Sequence, residues 1–347
     1  MAGYDDDDDH TTTPLGDETS DEAPNLSDSR SIASNGSGSE RHTGSEKSLT
    51  STKSLTGSVF DQITENGRGY ANNTYILPND EAEQTRLAIF HQAFLLLLQG
   101  QLTLSRVSNN VGRILDVGTG FGDWAIAMGE RYPNAQIIAT DISASQPTSV
   151  PPNVVFQLDD AQQDWTYSDP FDFIHMRGLA GAFSDWSSIY AEAHKHLRTG
   201  GAFEIVDWGL IQLKKPSKDS HLTAYNEALK SAAAKAGLAI EHEHLQGSVL
   251  EGAGLSVFRT VVRDIPLGTW STESQQIGLG KMALIAVLEG LEAASMRLLT
   301  RELAWKAEAV TKLCTNVKME VTRPGTEAFV QCKFVLAKKL EYNSHEV

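Results

Sequence analysis

Cysteines and long hydrophobic runs are both scarce in this sequence of 347 residues. The two cysteines, Cys314 and Cys332, are too few for a disulfide framework and too far apart for a CxxC metal or redox motif. Every apolar run, including residues 93–98, is much shorter than the roughly 20 residues of a membrane-spanning helix. We therefore expect an intracellular protein without a metal site or a membrane segment.

Basic residues are also few, because the chain has 29 Lys and Arg compared with 45 Asp and Glu. The resulting net charge of −16 repels phosphate backbones and anionic lipid headgroups. Neither nucleic acid nor a membrane is an expected partner. Because no run of Lys and Arg indicates nuclear import, the cytoplasm is the expected compartment, with the nucleus left open.

The composition changes along the chain. Residues 1–57 contain a run of aspartates and many Ser and Thr, with almost no aromatic residues. Such a segment cannot bury enough surface to offset its backbone entropy, which predicts a disordered acidic leader, either solvating or able to dock protein partners. We expect residues 58–109 to form an N-terminal cap segment with a helix, and residues 110–347 the main domain, with a helical insertion over 264–325 near the acceptor site.

From residue 110 onward, short apolar runs alternate with segments of helical periodicity, a pattern typical of α/β proteins. We predict a doubly wound, Rossmann-like sheet of seven mostly parallel strands, preceded by a helical cap over 81–99. A second helix outside the alternation is predicted over 281–301. The predicted strands are 113–117, 136–140, 154–158, 171–175, 202–206, 257–263 and 329–336.

A glycine loop with Gly118, Gly120 and Gly122 follows the first of these strands. Glycines let the backbone approach a ligand closely and present N–H donors at a helix N-terminus. A dinucleotide fingerprint requires Gly or Ala where this chain has Asp123, whose carboxylate would repel a pyrophosphate. Nucleotide-dependent oxidoreduction is therefore disfavoured, and the motif is Asp116-x-Gly-x-Gly-x-Gly.

Two more acids follow the next two strands. Asp141 ends the second strand, where a carboxylate can accept both hydroxyls of a ribose. Asp160 follows the third strand and can accept from an adenine amino group. Each acid alone could equally be a helix N-cap or lie in a solvated loop. Together with Asp116, however, they stand at three consecutive strand ends, which predicts a nucleoside site at one end of the sheet.

The glycine loop resembles motif I of class I S-adenosylmethionine-dependent methyltransferases, and its surroundings resemble the fungal LaeA-like methyltransferases. This second resemblance covers about residues 69–338. Two residues depart from the family's loop, Phe121 and Asp123, and both bear on cofactor affinity rather than on the fold. The segments that carry the resemblance are 77–81, 124–126, 150–154, 164–167, 171–177 and 288–293.

The resemblance implies S-adenosylmethionine as cofactor, with Asp116, Gly118 and Gly120 at its methionine end, Asp141 at the ribose and Asp160 at the adenine. Two tyrosines lie on a segment that could fold over the cofactor mouth, although plain core packing is the alternative for both. The other predicted cofactor contacts are Tyr70, Tyr75, Thr119, Gly122, Ile142, Ala161 and His175.

Methyl transfer needs little more than alignment, because the sulfonium is already electrophilic. If the acceptor is a hydroxyl, His175 at the end of the fourth strand is the first candidate base, with a hydrogen-bonded structural histidine as the alternative. Asp207, which closes the fifth strand, is the second candidate, with a turn or cap role as its alternative. By position alone, an apolar acceptor pocket is predicted around Trp208, Trp270 and Met296.

The resemblance leaves two functional hypotheses open. The first is an enzyme that methylates an oxygen or nitrogen of a small molecule in fungal secondary-metabolite biosynthesis. The second is a LaeA-like regulatory methyltransferase that acts through protein partners, for which the acidic leader is a candidate docking segment. Of these, the small-molecule enzyme is the preferred hypothesis.

Overall fold

The computed structural model describes residues 63–217 and 219–341. The predicted leader over 1–57 lies outside the described residues. The helices and strands are β1 (Ile63–Glu65), β2 (Arg68–Tyr70), α1 (Glu81–Leu97), β3 (Arg113–Val117), α2 (Asp123–Arg131), β4 (Gln136–Asp141), β5 (Val154–Leu158), β6 (Phe171–Arg177), α3 (Trp186–His196), β7 (Leu197–Leu213), α4 (His221–Ala236), α5 (Gly247–Gly252), β8 (Leu255–Leu267), α6 (Ser274–Glu302), α7 (Ala307–Val321) and β9 (Ala328–Lys339).

The main sheet has seven strands in the order β5-β4-β3-β6-β7-β9-β8. The first five of these are parallel, and β9 is antiparallel to both of its neighbours, β7 and β8. This confirms the predicted seven-stranded, mostly parallel sheet. Parallel strands require crossover connections, which α2 and α3 provide between β3 and β4 and between β6 and β7. No helix of the described ranges is both long and apolar enough to cross a bilayer.

Both faces of the sheet are covered because strand residues alternate between them. On one face, Phe173 packs in a cluster with Trp124 of α2. On the other, the next residue, Ile174, packs in a cluster with Trp186 of α3. A third apolar cluster joins α4, α6 and α7 to the antiparallel end of the sheet.

The strands at the antiparallel end are longer than the sequence predicts. Strand β7 spans 17 residues, whereas the prediction covers only 202–206. It continues past Gly209 because β9 pairs with it as far as Leu213, with a register shift between Trp208 and Ile211. A bulge of this kind lets a strand bend without ending, which a pattern of apolar residues does not reveal.

A short hairpin, β1-β2, precedes the predicted cap helix and is absent from the sequence prediction. Its turn contains Asn66 and Gly67 with φ values of 50° and 77°, the left-handed conformation that a tight hairpin turn requires. Asp80 then accepts a hydrogen bond from the backbone N–H of Glu83 and caps α1. The segment 63–80, which we call the strap, therefore has its own local order.

The strap is fastened to α6 by arginines. Arg297 donates to Glu65 at 2.9 Å and to the backbone oxygens of Asn72 and Tyr75, both at 2.7 Å. Arg301 forms a second ion pair with Glu65. These contacts place Tyr75 over the carboxyl ends of the parallel strands, where the candidate site lies.

Candidate functional site

Two adjoining cavities lie at the carboxyl ends of the parallel strands. The first, of about 310 Å³, reaches from the glycine loop to α4 and α6. The second, of about 570 Å³, lies beside the loops that follow β4 and β5. Both are lined by Tyr75, Gly118, Asp141 and Ile142, so a ligand that extends along these residues would occupy both cavities.

The glycine loop turns sharply at the edge of the first cavity. Gly118, Gly120 and Gly122 have φ values of 67°, 62° and 90°, which favour glycine. A Cβ atom on Gly118 would collide with Leu179, and one on Gly122 would collide with Phe156. Gly118 and Gly120 line the cavity, whereas Gly122 lines neither cavity and is required by its φ value and by the packing of Phe156.

Asp116 forms a buried pair with His175. Its Oδ1 accepts from Nδ1 of His175 at 2.7 Å, and its Oδ2 accepts from the hydroxyl of Thr119 at 2.6 Å. The imidazole stacks on the indole of Trp124, with centroids 3.7 Å apart and an interplanar angle of 6°. Both members of the pair line the first cavity, but the His175 side chain is only 1 % exposed. The geometry thus uses Nδ1 of His175 to orient Asp116.

Asp141 holds the second predicted position, at the end of β4. Its two carboxylate oxygens accept from the backbone N–H groups of Gly120 at 2.8 Å and of Ser143 at 2.9 Å. Burial raises the pKa of Asp141 to about 6, although these two hydrogen bonds lower it. Each oxygen retains one lone pair, so the carboxylate can still accept from a ligand.

Asp160 and Ala161 line the second cavity. Oδ1 of Asp160 accepts from the backbone N–H of Gln162 at 3.0 Å, which fixes the carboxyl group at the cavity wall. Asp116, Asp141 and Asp160 therefore all lie at the carboxyl ends of the neighbouring strands β3, β4 and β5. The structure brings together the three acids that the sequence singles out.

The two predicted tyrosines have different surroundings. Tyr75 lines both cavities, and burial raises the pKa of its hydroxyl well above the usual range. Tyr70 lines neither cavity, since its ring lies under the guanidinium of Arg297, 3.5 Å from Cζ. The structure thus places Tyr70 in the packing of the strap and only Tyr75 at the cavities.

A second buried pair joins Asp207, at the bend of β7, to His244, which the sequence analysis does not single out. Oδ2 of Asp207 accepts from Nε2 of His244 at 2.7 Å, and Oδ1 accepts from the backbone N–H of Ala180 at 3.2 Å. The imidazole stacks on Trp186 at 4.1 Å between centroids. His244 lies in an irregular segment without periodicity, so only the repeated histidines at 242 and 244 could have drawn attention to it.

Beyond Asp207 the first cavity becomes apolar. The Tyr225 hydroxyl there donates to the backbone oxygen of Leu291 at 2.8 Å, so it is already satisfied. Trp208 lines this part as predicted, whereas Trp270 and Met296 do not line the cavity, and the Trp270 indole N–H donates to Ala328. We call this part the apolar arm; its lining residues are Trp208, Leu210, Ile211, Tyr225, Leu229, Ile240, Ala286, Val287, Gly290, Leu291, Ala294 and Leu298.

The two departures from the resembled loop both face the first cavity. Phe121 lies in its wall without closing it. Asp123 begins α2, where burial raises the pKa of its carboxyl group and the nearby Arg177 lowers it. The polar end of the cavity therefore contains carboxylates and a guanidinium within one ligand-sized space.

The sequence is similar to a methyltransferase family and to fungal proteins of secondary metabolism. A family described as a methyltransferase domain matches residues 89–246. The methyltransferase pytC of Aspergillus terreus is 32% identical over 275 residues, which cover 78% of this chain and 85% of that protein. The secondary metabolism regulator LAE1 of Cochliobolus heterostrophus is 33% identical over 282 residues, covering 76% and 91%.

A third relative, named protein-methionine methyltransferase laeA, comes from Emericella nidulans and is 30% identical over 284 residues, covering 76% of this chain and 73% of that protein. Among solved structures, a phosphoethanolamine N-methyltransferase of Haemonchus contortus aligns with 15% identity and a TM-score of 0.42, covering 78% of this chain and 55% of that one. A methyltransferase of Bacillus halodurans aligns with 17% identity and a TM-score of 0.43, covering 72% and 99%.

Proposed function

This chain belongs to the fungal LaeA-like, S-adenosylmethionine-dependent methyltransferases, and we propose that it methylates an oxygen or nitrogen of a small apolar molecule in secondary metabolism. The observation that carries the proposal is the apolar arm, which opens directly from the glycine loop past Asp207. Small-molecule sites are typically apolar cavities with a few fixed polar groups, and this one fits that description.

The cavities suit S-adenosylmethionine in their charge and shape. The cofactor combines a sulfonium and an ammonium, which carboxylates favour, with a ribose that needs hydrogen-bond acceptors. Asp116 and Gly120 would face the methionine end, Asp141 the ribose, and Asp160 with Ala161 the adenine. Thr119 would act by holding Asp116 in place. When bound, the cofactor supplies an electrophilic methyl group.

On the acceptor side, the arrangement favours Asp207 over His175 as the group that receives a proton. Asp207 lies where the polar end of the cavity meets the apolar arm, and His244 fixes its carboxylate from behind. His175 already uses Nδ1 to bind Asp116 and is stacked on Trp124. We assign His175 a positioning role at the cofactor end.

Most of the rate enhancement in this proposal comes from alignment. The apolar arm would exclude water and hold the acceptor toward the methyl group, and correct orientation alone can contribute up to about 7–11 kcal/mol. A proton acceptor such as Asp207 would add roughly 10²- to 10⁴-fold for a hydroxyl acceptor. An acceptor that is already nucleophilic would need no base.

Methylation of a protein is the second candidate. It is favoured by the relatives named as secondary metabolism regulators and as a protein-methionine methyltransferase. A methionine side chain is narrow and apolar, which also suits the apolar arm. In this case the predicted leader over 1–57 is a candidate docking segment for partner proteins.

The test separates the two substrates by where the label appears. The full chain is incubated with S-adenosylmethionine labelled in its methyl group, with a fungal metabolite extract in one reaction and a fungal protein extract in another. Label in small molecules supports the first candidate, and label in a protein supports the second. Cofactor binding without label in either extract would contradict both.

A variant of the apolar arm gives the matched control. Ala294→Leu should lower methylation of a small molecule by roughly tenfold, because the added methyl groups overfill the arm. Ser256→Ala, on the edge strand β8, should have no effect on turnover. If Ala294→Leu leaves turnover unchanged, the arm does not hold the acceptor.

A further inference from the structure

Arg177 lies in the wall of the first cavity, and its guanidinium has no role in the reaction proposed above. It ends β6, next to the glycine loop, and pairs in register with Val206 of β7. Its guanidinium lies over the ring of Phe94, with Cζ 4.9 Å from the centroid. One of its amino groups, Nη2, lies 3.1 Å from Nδ1 of His91 on α1.

This contact with His91 does not neutralise the arginine. Burial and the nearby Arg177 together lower the pKa of His91 to about 4, so the imidazole is neutral near pH 7. Nδ1 therefore accepts from the guanidinium instead of competing with it as a cation. Since a guanidinium carries five N–H donors, most of them remain available to a ligand.

No carboxylate among the described residues forms an ion pair with Arg177, although burial lowers the pKa of its guanidinium and the nearby Asp116 and Asp123 raise it. Two other arginines near the cavities differ in this respect: Arg86 forms a bidentate pair with Glu83, and Arg297 pairs with Glu65. A partly buried charge is costly unless it is paired, so an unpaired guanidinium in a cavity wall indicates an anionic ligand.

We propose that Arg177 binds a ligand carboxylate in the first cavity, with the amino acid carboxylate of S-adenosylmethionine as the favoured source. This inference rests on the proposed function. A guanidinium suits a carboxylate because it can donate two parallel hydrogen bonds. Asp123 lines the same end of the cavity and complements the ammonium of the same amino acid. A carboxylate on the acceptor is the other source of the same chemistry.

The test is a thermodynamic cycle in which the side chain of residue 177 and the ligand carboxylate are each removed. Calorimetry on the full chain measures the affinity for each ligand. The two ligands are S-adenosylmethionine and its decarboxylated form, which lacks only that group. Wild-type protein should prefer the intact cofactor by roughly 10- to 100-fold, as for a charge-assisted hydrogen bond. Arg177→Met should abolish the preference, and Arg177→Lys should retain part of it.

Arg113→Met is the matched control. Arg113 also lies over a phenylalanine ring, with Cζ 4.7 Å from the centroid of Phe171, but at the opposite end of the sheet, where β3 begins. This variant should keep the full preference for the intact cofactor. Far-UV circular dichroism and thermal unfolding of each variant show whether the fold is retained.

A second set of titrations shows which ligand carries the carboxylate that Arg177 binds. Benzoate, a small aromatic carboxylate, is titrated into wild-type protein and Arg177→Met, with and without S-adenosylhomocysteine. If Arg177→Met keeps the cofactor preference but loses benzoate binding, Arg177 serves an acceptor carboxylate. If neither response differs from wild type, the proposal is wrong.

Two outcomes with wild-type protein decide the question even if Arg177→Met cannot be used. Wild-type protein that binds both cofactors equally and does not bind benzoate would overturn the carboxylate site even if Arg177→Met does not fold. Wild-type protein that binds no adenosyl ligand would overturn the proposed function instead. In that case, the benzoate titrations of wild type and Arg177→Lys alone decide the role of Arg177.

Discussion

The two buried aspartate–histidine pairs are built alike, yet they lie on opposite faces of the sheet. Asp116 binds His175 and Asp207 binds His244, both at 2.7 Å. Each histidine stacks on a tryptophan, from α2 in the first pair and from α3 in the second. The shared construction indicates a shared purpose, which is to hold a carboxylate in a fixed orientation at the cavity wall.

What differs is the environment of each carboxylate. Asp116 also binds Thr119 of the glycine loop, so its pair stabilises the end of the cavity that we assign to the cofactor. Asp207 binds the backbone of Ala180 and borders the apolar arm, which we assign to the acceptor. One local unit is thus used twice, and the neighbouring loops decide which ligand it faces.

The largest expected effect comes from removing each carboxylate in turn. Asp116→Ala should raise the cofactor Kd by roughly 10- to 150-fold, because a charged hydrogen-bond partner is lost. Asp207→Ala should leave this Kd within about twofold and lower turnover instead. Calorimetry with S-adenosylmethionine and a turnover assay measure the two quantities.

Each of these variants is the folding control for the other. Both leave a buried histidine without its partner and should lower the free energy of unfolding by similar amounts, about 1–3 kcal/mol. Equal changes in cofactor Kd would show that the two pairs do not have separate roles.

A pH effect of intermediate size should be confined to the cofactor end. With the pKa of Asp141 near 6, cofactor Kd should rise about tenfold for each pH unit below 6, as the carboxyl group takes up a proton. Calorimetry between about pH 5 and pH 8 measures this dependence. Asp141→Asn should bind more weakly with a flatter profile, whereas a wild-type Kd that is constant with pH would contradict the assignment.

The same group should affect folding with the opposite sign. Its pKa in the folded protein lies above the ordinary value of 3.8, so its contribution to stability is fully present below about pH 4 and is lost as pH rises through about 6. The carboxylate that favours the cofactor above pH 6 thus costs stability to the ligand-free protein. Thermal unfolding with and without cofactor separates the two effects.

The smallest effects are expected from substitutions that keep one donor atom. Asn places its amide nitrogen near the position of Nδ1 of a histidine, and Gln places it near Nε2. Because His175 donates through Nδ1 and His244 through Nε2, His175→Asn and His244→Gln should change cofactor Kd and turnover by about twofold or less.

The reverse assignment, with Gln at 175 and Asn at 244, should have larger effects because the amide nitrogen then lies away from the aspartate. His175→Gln should weaken cofactor binding by about fivefold, and His244→Asn should lower turnover by about the same factor, since each loses one hydrogen bond. If all four variants behave alike, the histidines do not act through the orientation of their aspartates.

The parts of the site that follow from the sequence are local. The strand before Asp116 and the turn at Gly118 are each specified by a few adjacent residues, through apolar side chains and a φ value that favours glycine. The same holds for Asp141 and Asp160, whose common position follows from parallel strand order.

The parts of the site that cannot be predicted from the sequence are contacts between segments far apart in the chain. His244 lies 37 residues from Asp207, and Arg297 reaches 232 residues back to Glu65. The roles considered for His175 illustrate the same limit: its position at the end of β6 was predictable, whereas its engagement with Asp116 and its stacking on Trp124 depend on the packing of α2. Neither composition nor periodicity specifies such neighbours.

By itself, the sequence determined the alternation of strands and helices, the glycine loop and the three acids at successive strand ends, because each depends on residues adjacent in the chain. Only the tertiary structure decided which histidine orients which aspartate, how far the apolar arm extends under α6, and that Arg177 lacks a carboxylate partner among the described residues. The physical reason is that charge pairing and cavity shape depend on side chains brought together from distant segments, whereas strand and turn formation depend on local backbone preferences.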